Sequence, residues 1–208
     1  MIGFTPLVLA VGIYYGATPR EATEHVLYTR SGAPLVIDRV NVVGRYATVL
    51  TKNGMMESGL VGGPILFEQF SFGWQALESL NLQCRIDRHG LSTGTKASLM
   101  RGMPKPSAYS GCGKNDGPDL GPPEEVEALR RDLSGPLVPS ARIVGNFAFG
   151  NWYGAGGGER LYRSSHGTWR AVLGGGGAID ASEAMGAGVP RASLCALGIY
   201  DAVCTHAR

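Results

Sequence analysis

The chain predicts an α+β fold: an internal duplication of a small helix plus antiparallel-sheet unit. Three observations carry that prediction. Short segments recur in constant order at nearly constant spacing, each recurring set opens on a proline–acid helix start, and β-branched and aromatic runs follow.

The recurrence can be followed along the chain. Ser31-Gly32-Ala33-Pro34-Leu35-Val36 returns as Ser134-Gly135-Pro136-Leu137-Val138. Val42-Val43-Gly44-Arg45-Tyr46-Ala47 returns as Ile143-Val144-Gly145-Asn146-Phe147-Ala148, an offset of 101 residues. Gly62-Gly63-Pro64-Ile65-Leu66-Phe67 lines up with Gly157-Gly158-Glu159-Arg160-Leu161-Tyr162. Trp74 then falls on Trp169, and Lys96-Ala97-Ser98-Leu99 on Arg191-Ala192-Ser193-Leu194, both at an offset of 95. The organisation that follows is an apolar N-terminal segment at 1–19, one repeat unit at 20–103, a Pro/Gly-rich linker at 104–122 and a second unit at 123–208.

Within each unit the elements follow in order. Pro19 with Glu21 and Pro122-Pro123 with Glu124 and Glu125 place proline and acids where a helix's first turn favours them. Ser31-Gly32 and Ser134-Gly135 stop these opening helices. Residues 36–50 and 138–149 read as strands, and residues 65–72 with 74–82, like 161–162 with 169–173, as hairpins. Residues 92–103 and 182–197 read as closing helices. The pattern predicts three or four antiparallel strands per unit, with one sheet face covered and one free. Residues 101–123 hold five prolines and five glycines, which no helix or ladder tolerates, so they connect the units.

Composition narrows the function. Of 208 residues 32 are glycine, 17% are charged and the net charge is +2, with no Lys/Arg cluster. A nucleic-acid binder's electrostatic footprint is therefore missing. Cys84, Cys112, Cys195 and Cys204 form no C-x-x-C motif and no zinc spacing, so a disulfide reading is favoured and a metal is not. Local pairing, 84 with 112 and 195 with 204, is one of three connectivities; four reduced thiols are the alternative. Residues 2–17 are mostly apolar and uncharged. They fit a signal-like segment, a short anchor or a buried segment, and are short for a membrane span of about 20 residues.

Chemistry-bearing constellations are few. Gly90-Leu91-Ser92-Thr93-Gly94 fits a nucleophile elbow, yet chance alone supplies roughly 0.3 such matches in so glycine-rich a chain. Ser92 and His166 are thus weak catalytic candidates, and no cofactor loop is present: Gly154 to Gly158 and Gly174 to Gly177 lack the Lys and Ser/Thr of a phosphate-binding loop. His25, His89, His166 and His206 are scattered, and Glu124, Glu125 and Glu127 need only the helix dipole as their explanation. Trp74 and Trp169, at matching positions, read as core. Trp152 has no counterpart in the first unit, so Trp152 and Tyr153, beside Gly156 and Gly157, are the candidate ligand-binding residues, an aromatic platform for a sugar or peptide.

The second unit carries Gly145-Asn146-Phe147-Ala148, Trp152-Tyr153-Gly154-Ala155-Gly156-Gly157-Gly158, Trp169, Gly174 to Gly177 and Gly188-Val189-Pro190. It resembles a module of uncharacterised exported proteins of cyanobacteria, well over residues 140–200 and loosely over the first unit. The resemblance implies export and no activity. The first unit departs from it where Leu82 to Asp87 replaces the four-glycine run. The reading is a non-enzymatic, periplasmic, lumenal or secreted binding or assembly protein acting through a sheet face or its Gly-rich turns. Its partner is a protein or membrane complex. The alternatives are a carbohydrate or cell-wall recognition module, a membrane-complex accessory subunit held by residues 2–17, and a serine hydrolase at Ser92.

Overall fold

The computed structural model describes residues 15–29, 32–55, 64–77, 82, 86–87, 89–104, 119–133, 141–152, 157–199 and 204. The fold is α+β; the described residues form five named helices and two antiparallel sheets. The first half comprises β1 (Tyr15–Gly16), α1 (Pro19–Val26), β2 (Ile37–Val43), β3 (Tyr46–Thr51), β4 (Ile65–Phe70), β5 (Gly73–Ala76) and α2 (Thr93–Leu99). The second comprises α3 (Pro123–Asp132), β6 (Ala141–Val144), β7 (Phe147–Trp152), β8 (Gly158–Ser165), β9 (Thr168–Gly176), α4 (Ala181–Gly186) and α5 (Arg191–Leu197). The sheets run β1-β5-β4-β3-β2 and β6-β7-β8-β9.

The opening helices start where proline and a polar cap put them. Thr18 Oγ1 accepts the Glu21 N–H at 3.1 Å, which satisfies one of α1's orphan donors, and Pro19 spends no N–H there. Residues 36–50 and 138–149 are not single strands. Each is folded back at a two-residue turn, Gly44-Arg45 or Gly145-Asn146, whose glycine has φ near +59° and +58° respectively. A positive φ at the first turn residue is the II′ geometry that suits hairpin twist, and glycine adopts it without strain. The first hairpin pairs Val43 with Tyr46, the second Val144 with Phe147. Across the next ladder Tyr46 faces Glu68, and Phe147 faces Arg163. Those positions sit at the offsets of 101 and 95 residues read from the sequence.

Two further expectations are corrected. The closing segment 182–197 is two helices, α4 and α5, because Gly188 (φ +82°) and Pro190 interrupt it. Neither sheet leaves a face free. α1 covers one face of the first sheet, through Ala22, Val26 and Leu27 on Ala47, Val49, Ile65, Phe67 and Trp74. The opposite face carries Leu66 and Leu77, which pack with Ile86 and with Leu99 of α2. In the second sheet Val126, Leu129 and Leu133 cover Ala141, Ala148 and Tyr162, while α4 and α5 cover Phe149 and Leu161. The strands give the reason: β4 reads Ile-Leu-Phe at 65–67, apolar on both faces, and exposing either face would leave a large apolar surface in water.

Helix α3 joins the halves. Its Val126 and Leu129 face the second sheet, while the intervening positions reach the β4–β5 hairpin of the first. Glu127 accepts from the Ser71 N–H at 3.2 Å and from the Ser71 hydroxyl. Arg130, fully buried, donates through Nε and Nη2 to the two oxygens of Asp119 at 2.7 and 2.8 Å, and through Nη1 to Gln75 Oε1 at 3.2 Å. Its guanidinium lies over the Phe70 ring at 4.9 Å. Asp119 Oδ1 also accepts the Ala141 N–H at 2.7 Å, and the adjacent Leu120 bridges Arg142, so the last residues of the sequence-defined linker belong to the second sheet's edge.

A buried charge held this way is costly to strand. Arg130→Met leaves Asp119 without its partner and is expected to cost about 3–5 kcal/mol, whereas Arg131→Met, which removes only a guanidinium over Phe72, is expected to cost under about 1 kcal/mol. Denaturant unfolding of both variants checks the contrast.

Candidate functional site

The sequence-selected residues fall into three places. Ser92 is the N-cap of α2: its Oγ accepts the Thr95 N–H at 3.2 Å and lies 2.9 Å from Thr95 Oγ1. That is a helix-capping environment, and residues 89–92 ahead of α2 are turn and loop with no strand leading in. His166 occupies the β8–β9 turn with φ +52°, followed by Gly167 at +77°, and its Nδ1 lies 3.0 Å from Ser165 Oγ. It sits in the turn of the second sheet, whereas Ser92 belongs to the first half. Cys195 is bonded to Cys204 in a disulfide, one of the pairings expected from the sequence. Cys84, Cys112, Tyr153 and Gly156 lie outside the described residues.

Trp152 and Gly157 come together with the second glycine run. Trp152 pairs with Gly158 across the β7–β8 ladder, and the Gly177 N–H donates to the Gly157 carbonyl at 3.3 Å. Gly158 has a definite reason to be glycine. A Cβ there would lie 1.9 Å from the Gly175 carbonyl oxygen and 3.0 Å from Trp152 Cζ2. The glycines thus let β8, β9 and the indole pack closely. Trp152 is half-buried against the α3 layer, with the Arg160 guanidinium 5.3 Å over its ring. One ring face is therefore already used, which weakens the platform reading.

Beneath the indole runs a polar chain. Asp132 Oδ2 accepts from Tyr162 Oη at 2.6 Å and from Arg160 Nη1 at 3.1 Å. Burial, reinforced by that carboxylate, pushes the Tyr162 phenol well above its ordinary range, so it stays a hydrogen-bond donor. Glu159 accepts the Ile179 N–H at 2.6 Å; burial raises its carboxyl and the backbone donor offsets part of that rise. These contacts hold β8 in place and spend their polar groups on the chain itself.

β9 is open to solvent. Seven of its nine residues are exposed and Trp169 and Leu173 are half-buried. It is the outer strand of its sheet, and its residues 171–174, with Arg160, line a shallow groove of about 350 Å³. The register slips between Leu161 and Tyr162, which leaves Val172 as the extra residue on β9, 38% exposed. Arg170 is the single charge on the strand and there is no proline. Trp169, read as core, is half-buried, and its Nε1 donates to Glu125 at 2.8 Å. With Glu127 on Ser71, two of the three helix-start acids have specific partners beyond the dipole.

Among the described residues no group of His, Cys, Asp and Glu could hold a metal ion, and no helix is long and apolar enough to cross a membrane. Comparison with family models, with curated proteins and with solved structures finds no match.

The close approach at Gly158 is directly testable. Gly158→Ala places a methyl carbon against a carbonyl that cannot move without breaking the ladder, and is expected to cost about 1–3 kcal/mol. Gly175→Ala, which meets nothing within 4 Å, is expected to be far milder. Paired thermal melts decide it.

Proposed function

We propose that the chain is an exported, non-enzymatic binding or assembly protein that takes an extended peptide segment of a partner onto the outer edge of β9. The observation that carries this is the strand itself: nine residues, with no strand paired to its outer side among the described residues, almost uncharged and ending in Gly174-Gly175-Gly176. Such an edge presents unpaired N–H and C=O groups that another strand can satisfy, and proteins that avoid pairing usually blunt it with lysine or proline. The groove beside Ala171 to Gly174 would then receive one partner side chain, main-chain bonds giving affinity and the groove giving selectivity. Because both sheet faces are covered by helices, the Gly-rich edge replaces the sheet face as the contact surface. The coincident register of the two sheets supports descent from a duplicated unit.

Export rests on the Cys195–Cys204 bridge, which is compatible with an oxidising compartment. Peptide mapping of protein taken from its native host without reduction is expected to recover these two cysteines as one disulfide-linked pair. Recovery of both as alkylatable thiols would remove that support. For the edge, a photo-crosslinking amino acid at Val172 is expected to capture one partner in the host envelope, and Ala171→Lys to abolish the capture. The same probe at Val42, exposed on the first sheet, serves as control. Equal capture from both positions, or none from Val172, would sink the strand-addition reading.

A further inference from the structure

We propose that the cavity at the seam between the two halves is a binding site for a small organic cation carrying a primary ammonium, seated on the carboxylate of Glu68. This inference is independent of the β9 edge. The cavity has a volume of about 220 Å³ and is walled by Arg45, Tyr46 and Glu68 of the first sheet, His89 ahead of α2, and Asp119 and Glu127 at α3. Glu68 has a side chain only 6% exposed.

Most acceptor capacity around the cavity is already used. Asp119 is committed to Arg130 and to the Ala141 N–H. Glu127 Oε2 takes the Ser71 N–H and hydroxyl. Glu68 Oε1 is 2.8 Å from Arg45 Nη2 and the carboxylate also interacts with the Tyr46 hydroxyl, but its Oε2 is buried with no donor in hydrogen-bond geometry. A buried carboxylate oxygen left this way carries a desolvation cost that an incoming donor would remove. The donor's charge follows from the wall. Glu68, Asp119 and Glu127 supply three carboxylates, set against the guanidinium groups of Arg45 and the adjoining Arg130. A metal ion does not fit, since the carboxylates do not converge on one point among the described residues. A single N–H-bearing cation with a short apolar tail against Val126 and the Tyr46 ring does fit. The ring of Phe70 is already covered by Arg130 at 4.9 Å and Arg45 at 5.8 Å, so the carboxylate, not an aromatic face, is the anchor.

The second half makes the contrast. The position that matches Glu68 is Arg163, which donates to the Ala187 carbonyl and lies over Phe147 at 5.3 Å. Only the first half places an acid at this point of the sheet. Burial raises the Glu68 carboxyl above its ordinary value, Arg130 and Arg45 offset part of that rise, and burial beside Glu68 pushes the Tyr46 phenol up to about 12. Proton and ammonium therefore compete for one carboxylate, and ammonium binding weakens as pH falls through the Glu68 titration.

The test uses the intact chain and n-butylammonium chloride, with 1-butanol and butyrate as uncharged and anionic counterparts of similar shape. Titrations up to about 50 mM, where a millimolar-class Kd would saturate, are followed by amide shifts of Tyr46, Glu68 and Gly121. Butylammonium is expected to give saturable shifts confined to the cavity, and butanol and butyrate none. Glu68→Gln is expected to weaken binding by roughly tenfold or more while melting no lower than wild type at pH 7, because it removes a buried charge and keeps the volume. Should that variant not fold, the wild type decides. Its Glu68 carboxyl 13C shift must titrate at lower pH in the presence of butylammonium. Equal binding by butanol, unchanged affinity in Glu68→Gln, an unmoved carboxyl titration, or no saturation at all would overturn the proposal.

Discussion

The structure depends on one buried cation. Arg130 lies between two sheets, fully removed from solvent, and its charge is matched by a bidentate carboxylate, a side-chain amide and an aromatic face drawn from both halves of the chain. Taking a guanidinium out of water is tolerable only with partners of that quality. Their geometry fixes α3 against the second sheet and the β4–β5 hairpin at once. Asp119 in turn holds the Ala141 N–H, so the seam ion pair also sets where β6 begins. The two halves are thereby one packed body, although each has apolar clusters of its own.

That constraint decides which surfaces remain for function. α1 and α2 pack on opposite faces of the first sheet, and α3 on one face of the second with α4 and α5 on the other. What remains are edges and seams. In the first sheet the outer strands are the two-residue β1, paired with β5, and β2, paired with β3. In the second sheet, Leu120 bridges the β6 edge, and among the described residues no strand pairs with the outer side of β9. The exposed β9 edge and the cavity at the seam are consequences of the same packing, one at the rim of the second half and one where the halves meet.

Much of the fold is legible in the sequence because local chemistry and tertiary structure agree there. Pro19 and Pro123 start helices, Gly44 and Gly145 turn hairpins, and Trp74 and Trp169 occupy matching ladder positions. The double coverage was less legible, since a run such as Ile65-Leu66-Phe67 is compatible with either one or two buried faces until the helices are counted against it. The candidate site was least legible. Arg130 follows a pattern of helix charges that ordinarily face water, and its burial arises from a hairpin about 55 residues away in sequence. Glu68 did carry a signal: in Ile65-Leu66-Phe67-Glu68-Gln69-Phe70 strand alternation puts this acid on the face of Leu66 and Phe70, where a charge is out of place.

The same alternation shows why the two halves differ at this strand position. Glu68 faces Tyr46, and Arg163 faces Phe147, at corresponding points of two sheets that share one register. In the second half the cation finds a helix-end carbonyl, because Gly188 lets α4 end beside it; a Cβ at that glycine would lie 2.7 Å from Arg163 Nη2. In the first half α3 of the other half approaches the strand, bringing a carboxylate to a cavity there. An acid at that point gains Arg45 and the field of Arg130, yet keeps one oxygen without a donor in hydrogen-bond geometry. Packing one half against the other therefore leaves, at a single strand position, a buried carboxylate oxygen facing a cavity that both halves wall.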